Sequence, residues 1–181
     1  MKIVVTPMCE EILKWNNIHN YTVNKFPDKE ENVKIAILLS ESKTKHPKIS
    51  LKLNTFQQIK ESIIKVSEKL NTNITEQDIK QIFEKYESAR KIIENLETYR
   101  KTHSKINIKV YSEFLKDIVS DLGFNIVENE ADFIIYPDYI KTPKEDSKLI
   151  KISSHSNVSN NPIERAINRY LTIIINNKSI K

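Results

Sequence analysis

Residues 108–129, IKVYSEFLKDIVSDLGFNIVEN, and 131–138, ADFIIYPD, decide how the chain is read. Ile106–Tyr111 alternates as a strand, and Ser112–Leu122 carries apolar residues at helical spacing up to Gly123, a helix stop. Phe124–Glu128 and Asp132–Tyr136 read as two further strands. The same order occurs earlier: residues 3–25, IVVTPMCEEILKWNNIHNYTVNK, and 33–41, VKIAILLSE, match it element for element. The correspondence continues, because 48–66, KISLKLNTFQQIKESIIKV, aligns in pattern with 148–173. Each half is strand–helix–strand–strand–strand–helix, a duplication of pattern rather than of residues.

Between the halves, Thr75 opens TEQDIKQIFEKYESARKIIENLETYRK, with Asp78 three residues on and apolar residues recurring from Ile79 to Leu96. That spacing predicts one long helix. The predicted fold is therefore α/β: two small Rossmann-like lobes with mainly parallel sheets, joined by the long helix, with a ligand cleft between the lobes. Expected boundaries are 1–73 for the first lobe, 74–104 for the helix and 105–181 for the second lobe.

Composition removes several function classes. The single glycine, Gly123, leaves no phosphate-cradling loop, dinucleotide fingerprint or glycine-flanked nucleophile elbow. The single cysteine, Cys9, forms no internal disulfide and no multi-cysteine metal site. A net charge of +5 raises the question of nucleic acid. Most lysines nevertheless alternate with acids along helices, and arginine occurs only four times, which argues against a nucleic-acid partner. MKIVVTPMCEE lacks the pattern of a signal peptide, and no apolar run is long enough to span a membrane, so a cytoplasmic protein is expected.

Two stretches carry a resemblance. VVTPMCEEILKWNNI, residues 4–18, resembles the first strand and helix of nitrogenase-component proteins and of the helix-backbone substrate-binding proteins for cobalamin or siderophores. LNTFQQIKESI, residues 53–63, resembles their Thr-x-x-x-Ile helix start. The resemblance implies two α/β lobes with a ligand between them. It departs from nitrogenase in lacking cluster cysteines. The lysine- and isoleucine-rich composition is also similar to that of small proteins of methanogenic archaea.

In such a fold, ligands meet the loops after the strands. This singles out Cys9 after the first strand, Glu41 after the third, and Tyr136 and Asp138 at the end of the seventh. His155 and Asn157 lie in a polar loop after the last strand. Cys9, just inside a helix, reads either as a contact to ligand or soft metal or as a small packing residue. Arg165 and Arg169, one helical turn apart, would clamp an anion, or else pair with Asp132 or Asp138 to staple the lobe. His19, His46 and His103 sit in turn-like contexts and read as solvent-exposed.

The expected function is binding of a small molecule: a tetrapyrrole, a metal chelate or an anionic metabolite. The alternatives are a cysteine-dependent enzyme, with Cys9 and His155 as the reactive pair, and a non-catalytic subunit or homodimer. No catalytic residue, metal ligand or cofactor is assigned from sequence.

Overall fold

The computed structural model describes residues 2–145, 147–154 and 158–178. They form two compact units, Met1–Tyr86 with Ser159–Glu164, and Glu87–Val158 with Arg165–Lys181.

In the first unit, β1 (Ile3–Val5) leads through a 3-10 turn, Pro7–Cys9, into α1 (Glu10–Trp15). The chain continues through β2 (Thr22–Val23), β3 (Ile35–Leu39), β4 (Lys48–Leu51), α2 (Phe56–Leu70) and α3 (Glu76–Glu84). The sheet order is β2-β1-β3-β4, and every pairing is parallel. β1 and the centre of β3 are apolar and buried because a parallel sheet is covered on both faces. α2 covers it with Phe56, Ile59, Ile63 and Val66, all buried at helical spacing. Its start is fixed by a reciprocal cap between Thr55 and Gln58, and its end by Asn71 in the left-handed region at φ 54°.

The second unit repeats the plan. It contains α4 (Glu87–Glu94), α5 (Leu96–His103), β5 (Asn107–Val110), α6 (Glu113–Asp121), β6 (Asn125–Ile126), β7 (Phe133–Pro137), β8 (Lys148–Ile152) and, from Arg165 onward, α7 (Pro162–Lys178). Its sheet runs β6-β5-β7-β8, again wholly parallel. α5, α6 and α7 meet at Asp121. Arg100 donates from Nη2 to the Asp121 carboxylate at 2.7 Å and from Nε to its backbone oxygen at 2.9 Å. The buried Tyr170 hydroxyl also donates to that carboxylate. Gly123 ends α6 at φ +81°, where an added Cβ would lie 2.4 Å from Arg100 Cα.

Where the sequence pattern predicts one long helix, three helices follow one another: α3, α4 and α5. The first break is a tightened turn, with the Tyr86 N–H donating to Phe83 three residues back at 3.0 Å. At the second, the Asn95 side-chain amide donates to the Lys91 carbonyl at 2.8 Å, and its backbone sits at φ −98°, ψ 2°. The spacing of apolar residues passes through both breaks without interruption.

Candidate functional site

In each sheet the connection after the second strand crosses to the opposite side of the first, so the order reverses between β1 and β3, and between β5 and β7. Such a reversal opens a crevice at the carboxyl ends of the two strands. Around it, helix starts present unpaired N–H groups and adjacent loops diverge.

In the second unit, Tyr111 and Ser112 follow β5, and Asp138 and Tyr139 follow β7. Tyr111 and Tyr139 are 38% and 61% exposed, so aromatic surface faces solvent after each of the two adjacent strands. The Tyr111 hydroxyl is held by Glu145, which also accepts from Lys109 Nζ at 2.9 Å. Those two donors hold the Glu145 carboxyl below its ordinary pKa. Ser112 occupies the residue before α6, extended at φ −161°, ψ 152°, yet its side chain makes no capping bond. Its Oγ is buried and has no hydrogen-bond partner among the described residues. A buried hydroxyl left unpaired calls for an explanation, because satisfying it is worth about 1–3 kcal/mol.

Beside this crevice, Asp138 accepts from the backbone N–H of Ser154 at 3.1 Å and from its hydroxyl. Arg169 donates from Nη2 to the Ser154 carbonyl at 2.8 Å and lies 4.6 Å from the centre of the Phe114 ring. Asp138 and Arg169 therefore meet on one residue. Arg165 and Arg169 are both buried on α7, beside Ala166 and Tyr170. Tyr136 is buried within β7. His155 and Asn157 lie outside the described residues.

In the first unit, the turn after β1 buries Cys9 completely, with its N–H donating to Thr6 at 2.9 Å. Glu41, after β3, is exposed and accepts from the Ser40 hydroxyl at 3.1 Å. Among the described residues, no three His, Cys, Asp or Glu side chains are placed to hold a metal ion.

Sequence reasoning read Ser112 as the start of a helix and assigned it no role, since burial and lack of a partner are three-dimensional properties. It also misplaced His103. That residue is 4% exposed rather than solvent-facing, because its ring lies parallel to Phe124 at 4.0 Å and to Tyr99 at 5.7 Å. Tyr99 one turn earlier on α5 was the available signal.

The molecule is thus a two-unit α/β protein with a wholly parallel four-stranded sheet in each unit. Residues 102–181 match the profile of the MJ0786 family C-terminal domain. No curated protein matches the chain. Among solved structures, a metal-free variant of a periplasmic metal-binding protein from Candidatus Liberibacter asiaticus is similar in fold. It has TM-score 0.56 and 8% identity, covering 97% of this chain and 99% of that one. A manganese-bound variant of the same protein gives TM-score 0.58 and 9% identity, with the same coverage. The nitrogenase Cp1 gives 0.56 and 15%, covering 98% of this chain and 60% of that one. No helix among the described residues is long and apolar enough to cross a membrane.

Proposed function

We propose that this protein binds a small ligand at the carboxyl ends of its parallel strands. The orphan Ser112 hydroxyl at the β5–β7 reversal carries the reading. A ligand atom that accepts from or donates to Oγ relieves its desolvation, and a planar body lies against the exposed Tyr111 and Tyr139 rings. Asp138 contributes by fixing Ser154, and His155 and Asn157, which follow Ser154 in sequence, are proposed members of the same site. Glu41 is its counterpart after β3 in the first unit.

The chemistry favours a tetrapyrrole, a metal chelate or an anionic metabolite over a bare ion. The described residues offer no cluster of metal ligands, so a bound metal arrives with its own chelator. The neighbours' metal binding is a property of those proteins and supports a ligand-binding use of the fold. Complete burial of Cys9 counts against a thiol enzyme and favours packing of the strand-to-helix turn. A cytoplasmic location is part of the proposal.

The test is thermal unfolding of the full chain with protoporphyrin IX, with cobinamide, and with a series of carboxylate and phosphate metabolites. One class is expected to raise the Tm, as any ligand selective for the native state must. Ser112→Ala is expected to reduce that shift without lowering the Tm of the ligand-free protein. If every class leaves the Tm unchanged, or if Ser112→Ala keeps the full shift, the strand-end site is wrong.

A further inference from the structure

At the opposite, amino-terminal edge of the second sheet lies a cavity of about 920 Å³. Tyr99 and His103 at the end of α5, Ile106 before β5, Phe133 at the start of β7 and Ile174 on α7 form its wall. His103 gives this wall its chemistry. Its Nδ1 lies 3.0 Å from the backbone oxygen of Leu122. A carbonyl only accepts, so Nδ1 carries the proton and the neutral ring keeps its lone pair on Nε2. Burial pushes the imidazole pKa down and keeps the ring neutral, against a smaller upward pull from the Leu122 bond.

The ring has little freedom. Phe124 and Tyr99 stack on it within 9° and 12° of parallel, and the Nδ1 edge is committed to Leu122. What remains for the cavity is the edge bearing Nε2, which has no hydrogen-bond partner among the described residues. An acceptor fixed on a 4% exposed side chain at the wall of a mainly apolar cavity, which Thr98, Thr102 and Asn177 also line, is a binding feature.

The surroundings set the ligand class. Lys105 and Asp132 also line the cavity, one charge of each sign, so neither a strong anion nor a strong cation is favoured. Asp132 already accepts from the Asn107 N–H at 2.8 Å. One imidazole without two further metal ligands does not hold an ion. We infer that this cavity is a second binding site, which takes a neutral, largely apolar ring compound through an O–H or N–H donated to His103 Nε2. It lies at the other end of the strands from Ser112, so its test stands apart from that of the strand-end site.

The probes are 2-naphthol, which carries the donor, and 2-methoxynaphthalene, which has the same rings without it. Fluorescence titration of the full chain at pH 8 is expected to show saturable binding of 2-naphthol. Binding of the methoxy compound should be about tenfold weaker, the effect of one lost hydrogen bond. His103→Phe keeps a stacking ring but has no lone pair, and should bind both probes alike. Ile174→Trp, which fills the cavity from α7, should bind neither. If His103→Phe does not fold, the ¹⁵N shift of His103 Nε2 in the wild-type chain decides: it moves with 2-naphthol and not with the methoxy compound. Equal binding of the two probes by the wild type, retained discrimination in His103→Phe, or an unmoved Nε2 resonance would each overturn the assignment.

Discussion

Asp138 and Arg169 hold one residue from both sides of its backbone: Asp138 takes the N–H and hydroxyl of Ser154, and Arg169 takes its carbonyl. Arg169 reaches the preceding carbonyl too, from Nε to Ser153 at 3.3 Å. The pair therefore ties the end of β7, the end of β8 and the inner face of α7 together around the buried Ser154. Ser154 leads directly to His155 in sequence.

Arg169→Met should destabilise the second unit by about 2–4 kcal/mol, because the buried Ser154 carbonyl and the neighbouring Ser153 carbonyl lose a charge-assisted donor. Arg169→Lys should recover only part of this, since an ammonium cannot reproduce the planar contact with Phe114 and the fork to two carbonyls. Urea unfolding followed by circular dichroism measures both. Equal stability of the methionine variant and the wild type would show that the contact has no energetic role.

The fold was legible where burial follows from local pattern. IAILL in β3 and FIIYP in β7 are nearly continuous apolar runs, as strands covered on both faces must be. Their recurrence in the same order made the duplication visible. The helix breaks were not legible, because Phe83, Tyr86, Ala89, Ile92 and Leu96 keep one apolar face through both interruptions. The Asp138–Ser154–Arg169 cluster was legible only in part: a staple between Arg169 and Asp138 was one of the readings, but Ser154, the residue on which they meet, was not part of it. The four-residue spacing of Arg165 and Arg169 left an anion clamp and a staple to Asp132 or Asp138 both open, and both side chains are buried on α7. His103 illustrates the same limit: Phe124, which covers its ring, lies 21 residues further on.

Gly123→Ala should cost at least about 2 kcal/mol, combining the strain of a positive φ with an overpacked contact. The new Cβ meets the Arg100 backbone, whose Cα and carbonyl oxygen would be 2.4 and 2.9 Å away, and no side-chain rotation relieves that. Relief by moving α5 would disturb the Arg100–Asp121 bonds. Thermal and urea unfolding report the loss. A neutral result would mean that α5 shifts freely at this point.

Asn16→Leu should destabilise the first unit by about 2–3 kcal/mol despite its similar size. Asn16 is buried, and its amide donates to the carbonyls of Ile12 at 2.9 Å and Ile63 at 3.2 Å. Its own oxygen accepts from the Thr72 hydroxyl at 2.9 Å. Leucine would leave the buried carbonyls of Ile12 and Ile63 and the half-buried Thr72 hydroxyl without this partner. Thr72→Val removes one bond only and should cost less, so the order of the two urea midpoints tests the argument.

The second unit should lose stability as pH falls below about 6.5, the ordinary histidine value. Burial lowers the folded pKa of His103, so between the folded and unfolded values the unfolded chain binds the extra proton and folding is opposed. The contribution is complete above the unfolded pKa and declines as pH drops towards the folded one. Tyr99, Lys105 and Asp132 share the cavity with the ring. Urea midpoints between pH 8 and pH 5 should fall for the wild type and less steeply for His103→Phe, with the difference assigned to this residue. Parallel curves would show that His103 takes up its proton in the folded state as readily as in the unfolded one.

Cys9 should react slowly with iodoacetamide in the native protein and rapidly in urea, since a fully buried thiol is reached only through opening of the turn after β1. The labelling rate should then follow the opening equilibrium, rising with denaturant in proportion to the fraction open. Cys9→Ala should cost about 1 kcal/mol, the effect of removing one small buried group. If the turn merely packs there, the variant should keep the ligand-dependent Tm shift that Ser112→Ala reduces. Fast labelling without denaturant would reverse this reading. It would place an accessible thiol at the carboxyl end of β1, and with it restore the cysteine-dependent enzyme as the better account of the first unit.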